Sequence, residues 1–226
     1  MTDSTTKFPI FDGSSLAVIG HDHRADRVDG LQLPERIGNV TIDTRLTIPR
    51  RRREALRLIR EDNARQVIGQ LPDADHDIVL LMDGTYHGMD IIAAMLDLAD
   101  CPAVESYIAT LGTNKSNIDQ LCGLIDGGKL SGLTMLVADV FAQKDVIEFA
   151  YLTDQLGKRG ARVAVSRNHA KIMQFKLADG RHIVAHGSLN LRRCNSYEQV
   201  AVTQDAELYK FFKAFIETII AGGITP

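Results

Sequence analysis

Between residues 78 and 166 the chain repeats one pattern. A short apolar run closed by Asp, Gly or Ser gives way to a stretch in which apolar residues return every third or fourth position. The runs are "DIVLLMDG", "VESYIATLG", "LTMLVAD" and "RVAVS". Between them lie "GMDIIAAMLDLAD", "NKSNIDQLCGLIDGG" and residues 144 to 158. Short apolar runs bounded by turn residues predict strands, and the longer periodic stretches predict helices. "DIVLLMDG" predicts a buried strand. Asn114 or Ser116 is the expected cap of the second helix, and Gly127-Gly128 its stop. Strands joined through helices need crossover connections, so part of the sheet must be parallel.

The C-terminal third changes the rhythm. "KIMQFKLADGRHIVAHGS" reads as a hairpin turning at Asp179-Gly180, "EQVAVTQ" as a last strand and "AELYKFFKAFIETIIAG" as an amphipathic helix. Upstream, Pro49 suits the first position of a helix. A stripe of Ala55, Leu56, Ile59, Val67, Ile68 and Leu71 carries that helix to about Pro72. The expected fold class is an α/β sandwich with a mixed central sheet flanked by helices, antiparallel at the hairpin. Residues 1–44, with short apolar pieces "SLAVIG" and "NVTID", read as an N-terminal extension, and 45–226 as the main domain.

Composition narrows the function classes. Of 226 residues 45% are apolar and 24% charged, and no run is long and apolar enough to span a membrane. The start "MTDSTTKFPIFDG" lacks the apolar core of a secretory leader. Three cysteines (Cys101, Cys122, Cys194) leave one over in any intramolecular pairing, so reduced thiols and a cytoplasmic setting are expected. The net charge of −3 makes nucleic-acid binding a matter of local patches. One such patch is Arg50, Arg51, Arg52 and Arg53, which suits phosphates or a solvated first helical turn.

Four places carry chemistry-bearing side chains. His21 and His23, with Asp22 and Asp26, could share a metal on an extended segment, but no third ligand follows at a metal-site spacing, and a polar loop is the simpler reading. His87 follows a strand end, where α/β sheets place ligand contacts, and equally suits a helix cap. No phosphate-binding glycine loop and no nucleophile elbow is present, so no nucleotide cofactor is indicated. The fourth place is residues 168–199, "NHAKIMQFKLADGRHIVAHGSLNLRRCNSYEQ". His169 and Lys171, two apart on an extended chain, project to one side. Hairpin pairing brings Gly187-Ser188-Leu189-Asn190 beside them. Lysine, serine and asparagine donors then converge with a histidine, an arrangement suited to a phosphodiester whose charge grows in the transition state.

His169-x-Lys171, Gly187-Ser188-x-Asn190 and Glu198, in that order, resemble the signature of the phospholipase D-like superfamily. The likeness covers roughly residues 45 to 226, and "GSLNLRRCNSYEQVAV" resembles small single-motif members of bacteria and phages. It implies a metal-independent phosphodiesterase with a phosphohistidine on His169 and no cofactor. Lys171 and Asn190 would hold non-bridging oxygens, Ser188 would bond in the turn or to phosphate, and Glu198 would orient an imidazole. The family's aspartate, five residues after the lysine, is here Lys176, and Asp179 is the nearest substitute. A complete site needs two such motifs and this chain has one, so the resemblance implies a homodimer with the site on the two-fold axis.

Among phosphodiesters DNA, or RNA, fits best, because single-motif relatives are largely nucleases and Arg192-Arg193 adjoin the motif. No stable membrane association is expected. Two alternatives remain: a DNA-binding or assembly protein that has lost turnover, and a phospholipid phosphodiesterase.

Overall fold

The computed structural model describes residues 50–82, 84–192 and 197–222, without the side chains of Arg50 to Arg53. His21, Asp22, His23, Asp26, Pro49, Arg193 and the expected N-terminal strands lie outside the described residues. The elements in chain order are α1 (Arg50–Ile68), β1 (Ile78–Met82), α2 (Gly88–Leu98), β2 (Ala103–Thr110), α3 (Lys115–Asp126), β3 (Leu133–Ala138) and α4 (Asp139–Lys144). They continue with α5 (Val146–Gly157), β4 (Arg162–Ser166), β5 (Ile172–Leu177), β6 (His182–Gly187), β7 (Glu198–Gln204) and α6 (Ala206–Ala221).

The strands form one seven-stranded sheet in the order β1-β7-β6-β5-β2-β3-β4. β2, β3 and β4 are parallel neighbours; every other neighbouring pair is antiparallel. It follows that β1, β2, β3, β4 and β6 run one way, and β5 and β7 the other. One end of the sheet therefore gathers the carboxyl ends of five strands and the starts of β5 and β7. The fold is the expected mixed α/β sandwich, consistent with a phospholipase D-like architecture.

Local chemistry sets the helix starts. The Asn114 side chain accepts the Asn117 N–H at 3.0 Å and caps α3. Asp205 accepts from Glu207 N and Leu208 N at 2.8 and 2.9 Å and caps α6. The main core lies between the sheet and α1, α2, α3 and α5, centred on side chains such as Ile92, Met135, Leu152, Phe175 and Val200. A smaller core of Tyr107, Ala109, Leu136, Ile172, Val184, Tyr209 and Ile216 lies under α6 on the other face.

Three expectations differ in detail. The helix expected over 144–158 is α5, but a short α4 that the sequence reading did not expect precedes it, the two separated at Asp145, whose φ of −108° and ψ of 52° leave the helical region. On α1 the inward stripe is Ala64 and Ile68, followed by Leu71, whereas Leu56, Ile59 and Val67 are about half exposed. The "DIVLLMDG" strand is an edge strand. The hairpin and β7 insert between β1 and β2, so among the described residues β1 pairs only with β7, and Val79 and Leu81 are exposed.

Candidate active site

The loop after β4 and the turn after β6 meet at the end of the sheet just defined. Ile172 pairs with His186, and the Gly187 N–H reaches Lys171 O at 3.3 Å, so the hairpin sets the two motif pieces side by side. His169 is exposed, while Lys171 is buried. Lys171 Nζ lies 2.7 Å from His169 Nδ1 and 3.3 Å from Nε2, and donates to His169 O at 2.8 Å. A charged ammonium has no lone pair. The nearer nitrogen, Nδ1, therefore accepts in this arrangement, which in an imidazole bearing one proton puts that proton on Nε2. Burial pushes the Lys171 ammonium below the usual lysine range, and the Glu198 carboxylate pulls it partly back.

The second piece is held through β7. Ser188 N donates to Gln199 O at 2.9 Å, and Gln199 N to Ser188 Oγ at 3.0 Å. The Ser188 hydroxyl donates to Glu198 Oε2. Gly187 permits this approach: a Cβ there would lie 2.0 Å from Gln199 O. Asn190 spends its carbonyl oxygen on Leu111 N at 3.2 Å, which leaves its NH2 as the donor end. His169, Lys171, Ser188, Asn190 and Glu198 thus share one end of the sheet. The expected Glu198–imidazole bond is replaced by the bond to Ser188.

Other candidates fall elsewhere. Asp179 is in the turn at the opposite end of the hairpin, on the order of 20 Å along β5 from Lys171. There Arg181 bonds it through N–H and guanidinium and holds its carboxyl down at about 2. It is therefore no substitute for the family's aspartate. Lys176, in that aspartate's position, is exposed near the same far end. Arg192 is committed internally: it donates to Thr113 O at 3.2 Å, pairs with Asp145 at 2.7 Å and lies over the Phe141 ring. His87 is the N-cap residue of α2, its N–H donating to Asp90 Oδ2 at 2.8 Å. The next residue, Gly88, packs against Asn190 O. No group of three His, Cys, Asp or Glu able to hold a metal occurs among the described residues, and none of their helices is long and apolar enough to cross a membrane.

Sequence reasoning missed the buried polar residues that join the pieces. Thr110, at the end of β2, accepts Leu191 N at 3.2 Å through Oγ1 and Asn168 Nδ2 at 3.4 Å through its carbonyl. Asn168 Oδ1 accepts Ala170 N at 2.8 Å and so shapes the backbone around His169. Asn168 adjoins the motif and could have been flagged; Thr110 carries no sequence signal. A groove of about 830 Å³ between α1, α3 and α5 is lined by Arg57, Arg60, Lys115, Glu54 and Asp119 among others, and none of the five gathered residues lines it.

No family model matches the sequence, and no curated protein matches it. Solved structures do resemble it. A polyphosphate kinase from Porphyromonas gingivalis aligns with a TM-score of 0.51 and 18% identity over 71% of this chain, which spans 29% of that chain's length. NucT from Helicobacter pylori aligns at 0.47 and 15%, over 65% of this chain and 97% of its own. Nuc from Salmonella typhimurium, a phospholipase D family member, aligns at 0.46 and 13%, over 63% and 93%. At such identities the likeness is one of fold.

Proposed function

We propose that the chain is a metal-independent phosphodiesterase of the phospholipase D-like kind, a nuclease that cleaves DNA through a phosphohistidine in a site shared by two copies. The observation that carries this reading is the convergence of His169, Lys171, Ser188, Asn190 and Glu198 at one end of the sheet. The exposure of His169 on an open surface suits a phosphate within a long polymer better than a small enclosed substrate.

In this mechanism His169 Nε2 attacks phosphorus, and the bond from phosphorus to the leaving oxygen breaks as the new bond forms. His169 of the second copy protonates that oxygen. A water then attacks the phosphohistidine, its proton passing to the second imidazole, and the P–N bond breaks to restore His169. Lys171 Nζ and Asn190 Nδ2 stabilise the charge on the non-bridging oxygens. Attack needs Nε2 unprotonated, so the ring must first exchange its contact with Lys171 for one in which Nδ1–H meets an acceptor. Glu198 is that acceptor once it releases Ser188.

One observation favours a second reading. Glu198 holds Ser188 and not the imidazole, which fits a DNA-binding or assembly protein that grips phosphate without turnover. Plasmid nicking in excess chelator decides between them. The nuclease reading expects nicking by wild type and none by His169→Ala. Equal inertness of both on DNA, RNA and phospholipid vesicles would leave the binding reading, and headgroup release from vesicles alone would mark a lipid phosphodiesterase.

A further inference from the structure

The groove of about 830 Å³ between α1, α3 and α5 draws cations from two helices. Arg57 and Arg60 come from α1. Lys115 comes from the first turn of α3, where that helix presents its positive end. Arg60 is anchored through Nε, which donates to the buried Asp90 at 3.1 Å, and its two terminal nitrogens donate to no other described residue. Arg57 is held more loosely. Its guanidinium lies 3.5 Å from Glu61 and 4.0 Å from Glu54, and its buried Nε makes no hydrogen bond among the described residues. Glu61 Oε1 is taken by Gln120 at 2.5 Å, and burial pushes that carboxyl above the usual range. A buried donor without an acceptor is costly, so Arg57 marks a place where an acceptor is missing.

Two carboxylates line the groove as well. Asp119 accepts from the Tyr151 hydroxyl at 2.5 Å, and Glu54 is largely exposed. Tyr151 contributes an aromatic ring, with Lys115 Nζ 4.8 Å from its centroid. The groove adjoins the candidate site through α3. Ser116 lines the groove, while its neighbour Asn117 donates through Nδ2 to Leu191 O, next to Asn190. One helical turn, about 5 Å of rise, therefore serves both places. Along α1 the helical repeat sets positions 50, 53, 57 and 60 in one line over about 15 Å, and all four are arginine.

We propose that this groove seats the single-stranded flank of a polynucleotide whose reacting phosphate lies at His169. The place given to the reacting phosphate rests on the nuclease reading; the groove is tested by binding alone. Arg57, Arg60 and Lys115 take non-bridging oxygens of successive phosphates, which supplies the acceptor that Arg57 lacks. A base stacks on Tyr151 in the place that Lys115 Nζ leaves. A cationic track beside an aromatic ring is how single strands are held without sequence preference. In a duplex the bases stack on one another and cannot reach a ring recessed between helices, so the strand is preferred to the duplex.

The test is fluorescence anisotropy of an oligothymidylate of ~12 nucleotides over a range of salt. The groove variant Arg57→Gln/Lys115→Gln is set against Lys158→Gln/Lys210→Gln, which loses the same charge outside the groove lining. At ~0.7 per lost phosphate contact, the groove variant should lower the salt slope by about 1.4, or about 25-fold in affinity at ~0.1 M relative to 1 M salt. The control should bind as wild type does. An unchanged slope in the groove variant, an equal fall in the control, or no binding by wild type overturns the groove. A duplex of ~12 base pairs that is bound as tightly and weakened as much overturns the single-strand assignment. Oligouridylate run beside it identifies the strand as RNA where it binds more tightly and as DNA where it binds less, and either result supports the groove. Nicking is scored separately. A lowered slope in a protein that does not nick supports the groove and overturns the nuclease reading; nicking with an unchanged slope does the reverse. If circular dichroism shows the groove variant unfolded, photo-crosslinking of 5-iodouridine strands to wild type decides: adducts on Tyr151 or α3 support the groove, and adducts only elsewhere overturn it.

Discussion

Gly187 is where backbone packing and chemistry are most tightly joined, and Gly187→Ala tests that junction. The added Cβ would stand 2.0 Å from Gln199 O, 2.9 Å from Gln199 C and 3.0 Å from Val200 Cα, whereas ordinary contact begins at 3.4 Å. All three atoms are backbone of β7, so no side chain can swing aside. The strands must part. Overpacking of this kind costs about 1–3 kcal/mol. Parting also strains the bonds Ser188 N–Gln199 O and Gln199 N–Ser188 Oγ, at 2.9 and 3.0 Å, worth about 1 kcal/mol each. A loss of about 3–5 kcal/mol is expected, or a fall in Tm on the order of 10 °C for a domain of this size. Gly123→Ala is the control. Gly123 lies exposed within α3, with nothing within 4 Å of its added Cβ, so alanine should stabilise by about 0.5–1 kcal/mol. Urea unfolding measures both. Two changes of the same chemistry should shift the midpoint in opposite directions, and Gly187→Ala should also slow single-turnover cleavage by displacing Ser188 and Glu198. A Gly187→Ala protein within about 0.5 kcal/mol of wild type would refute the close approach of β6 to β7.

His169→Ala should abolish nicking while filter-binding affinity for DNA stays near wild type, because Lys171 and Asn190 remain. Glu198→Gln should slow nicking by less, and the double variant should be no worse than His169→Ala, since both residues serve one step. Replacing Arg50 to Arg53 with serine should weaken DNA binding evenly across sequences and flatten its salt dependence by up to ~0.9 log unit per lost phosphate contact. Arg192→Ala should lower Tm and leave the salt slope nearly unchanged, since its guanidinium is held by Asp145 and Thr113 O. Glu217 is held below the usual carboxylate range by Arg162, whose hydrogen bond outweighs burial. For Glu105 burial is the largest influence and acts upward, but hydrogen bonds from Lys213, Tyr209 and Tyr107 together bring it below that range. Their folded values are depressed, so the stability they contribute is complete above the ordinary glutamate value of about 4.3 and is lost as pH falls through the folded values. Thermal melts should therefore show Glu217→Gln less stable than wild type near neutrality, with the gap closing in acid.

What the sequence made legible was periodic or local. "EQVAVTQ" matches β7 residue for residue, the hairpin turns at Asp179-Gly180, and Asn114 caps α3. These follow from side-chain alternation and turn chemistry within a few residues. Strand order was not legible, because neighbours such as β1 and β7 are more than a hundred residues apart and period-two patterning does not name a partner. The apolar run of β1 therefore indicated burial without showing that the partner for its outer face is absent from the described fold. The same limit applies to the site. His169, Lys171 and Ser188 could be placed together because a hairpin joins them. Thr110, some sixty residues upstream, joins them only through the β2–β5 pairing. Asp179 was close to the expected position in sequence but far in space, since a hairpin turn puts its residues at the end opposite the strand entrances.

The departure at Lys176 has less bearing on turnover than its place in the motif suggests. Five residues along an extended strand is roughly 15 Å, so a side chain at that position cannot reach His169 within this copy. Lys176 pairs across the sheet with Glu105 and His182 and stands in solvent. In the proposed mechanism the imidazole finds its carboxylate elsewhere, and Glu198 is the candidate, a carboxylate whose charge acts on Lys171. Its bond to Ser188 sets a choice: hold the turn, or hold the ring. An incoming phosphate offers Lys171 and Ser188 anionic oxygens in place of His169 Nδ1 and the Glu198 carboxylate. Charge-assisted bonds to phosphate are the stronger ones, so substrate would free the ring and the carboxylate together and let them meet. On this reasoning Ser188→Ala, which releases Glu198 without substrate, should preserve more nicking activity than Glu198→Gln. If Ser188→Ala is the more damaging of the two, the serine acts on phosphate directly and the exchange of partners is wrong.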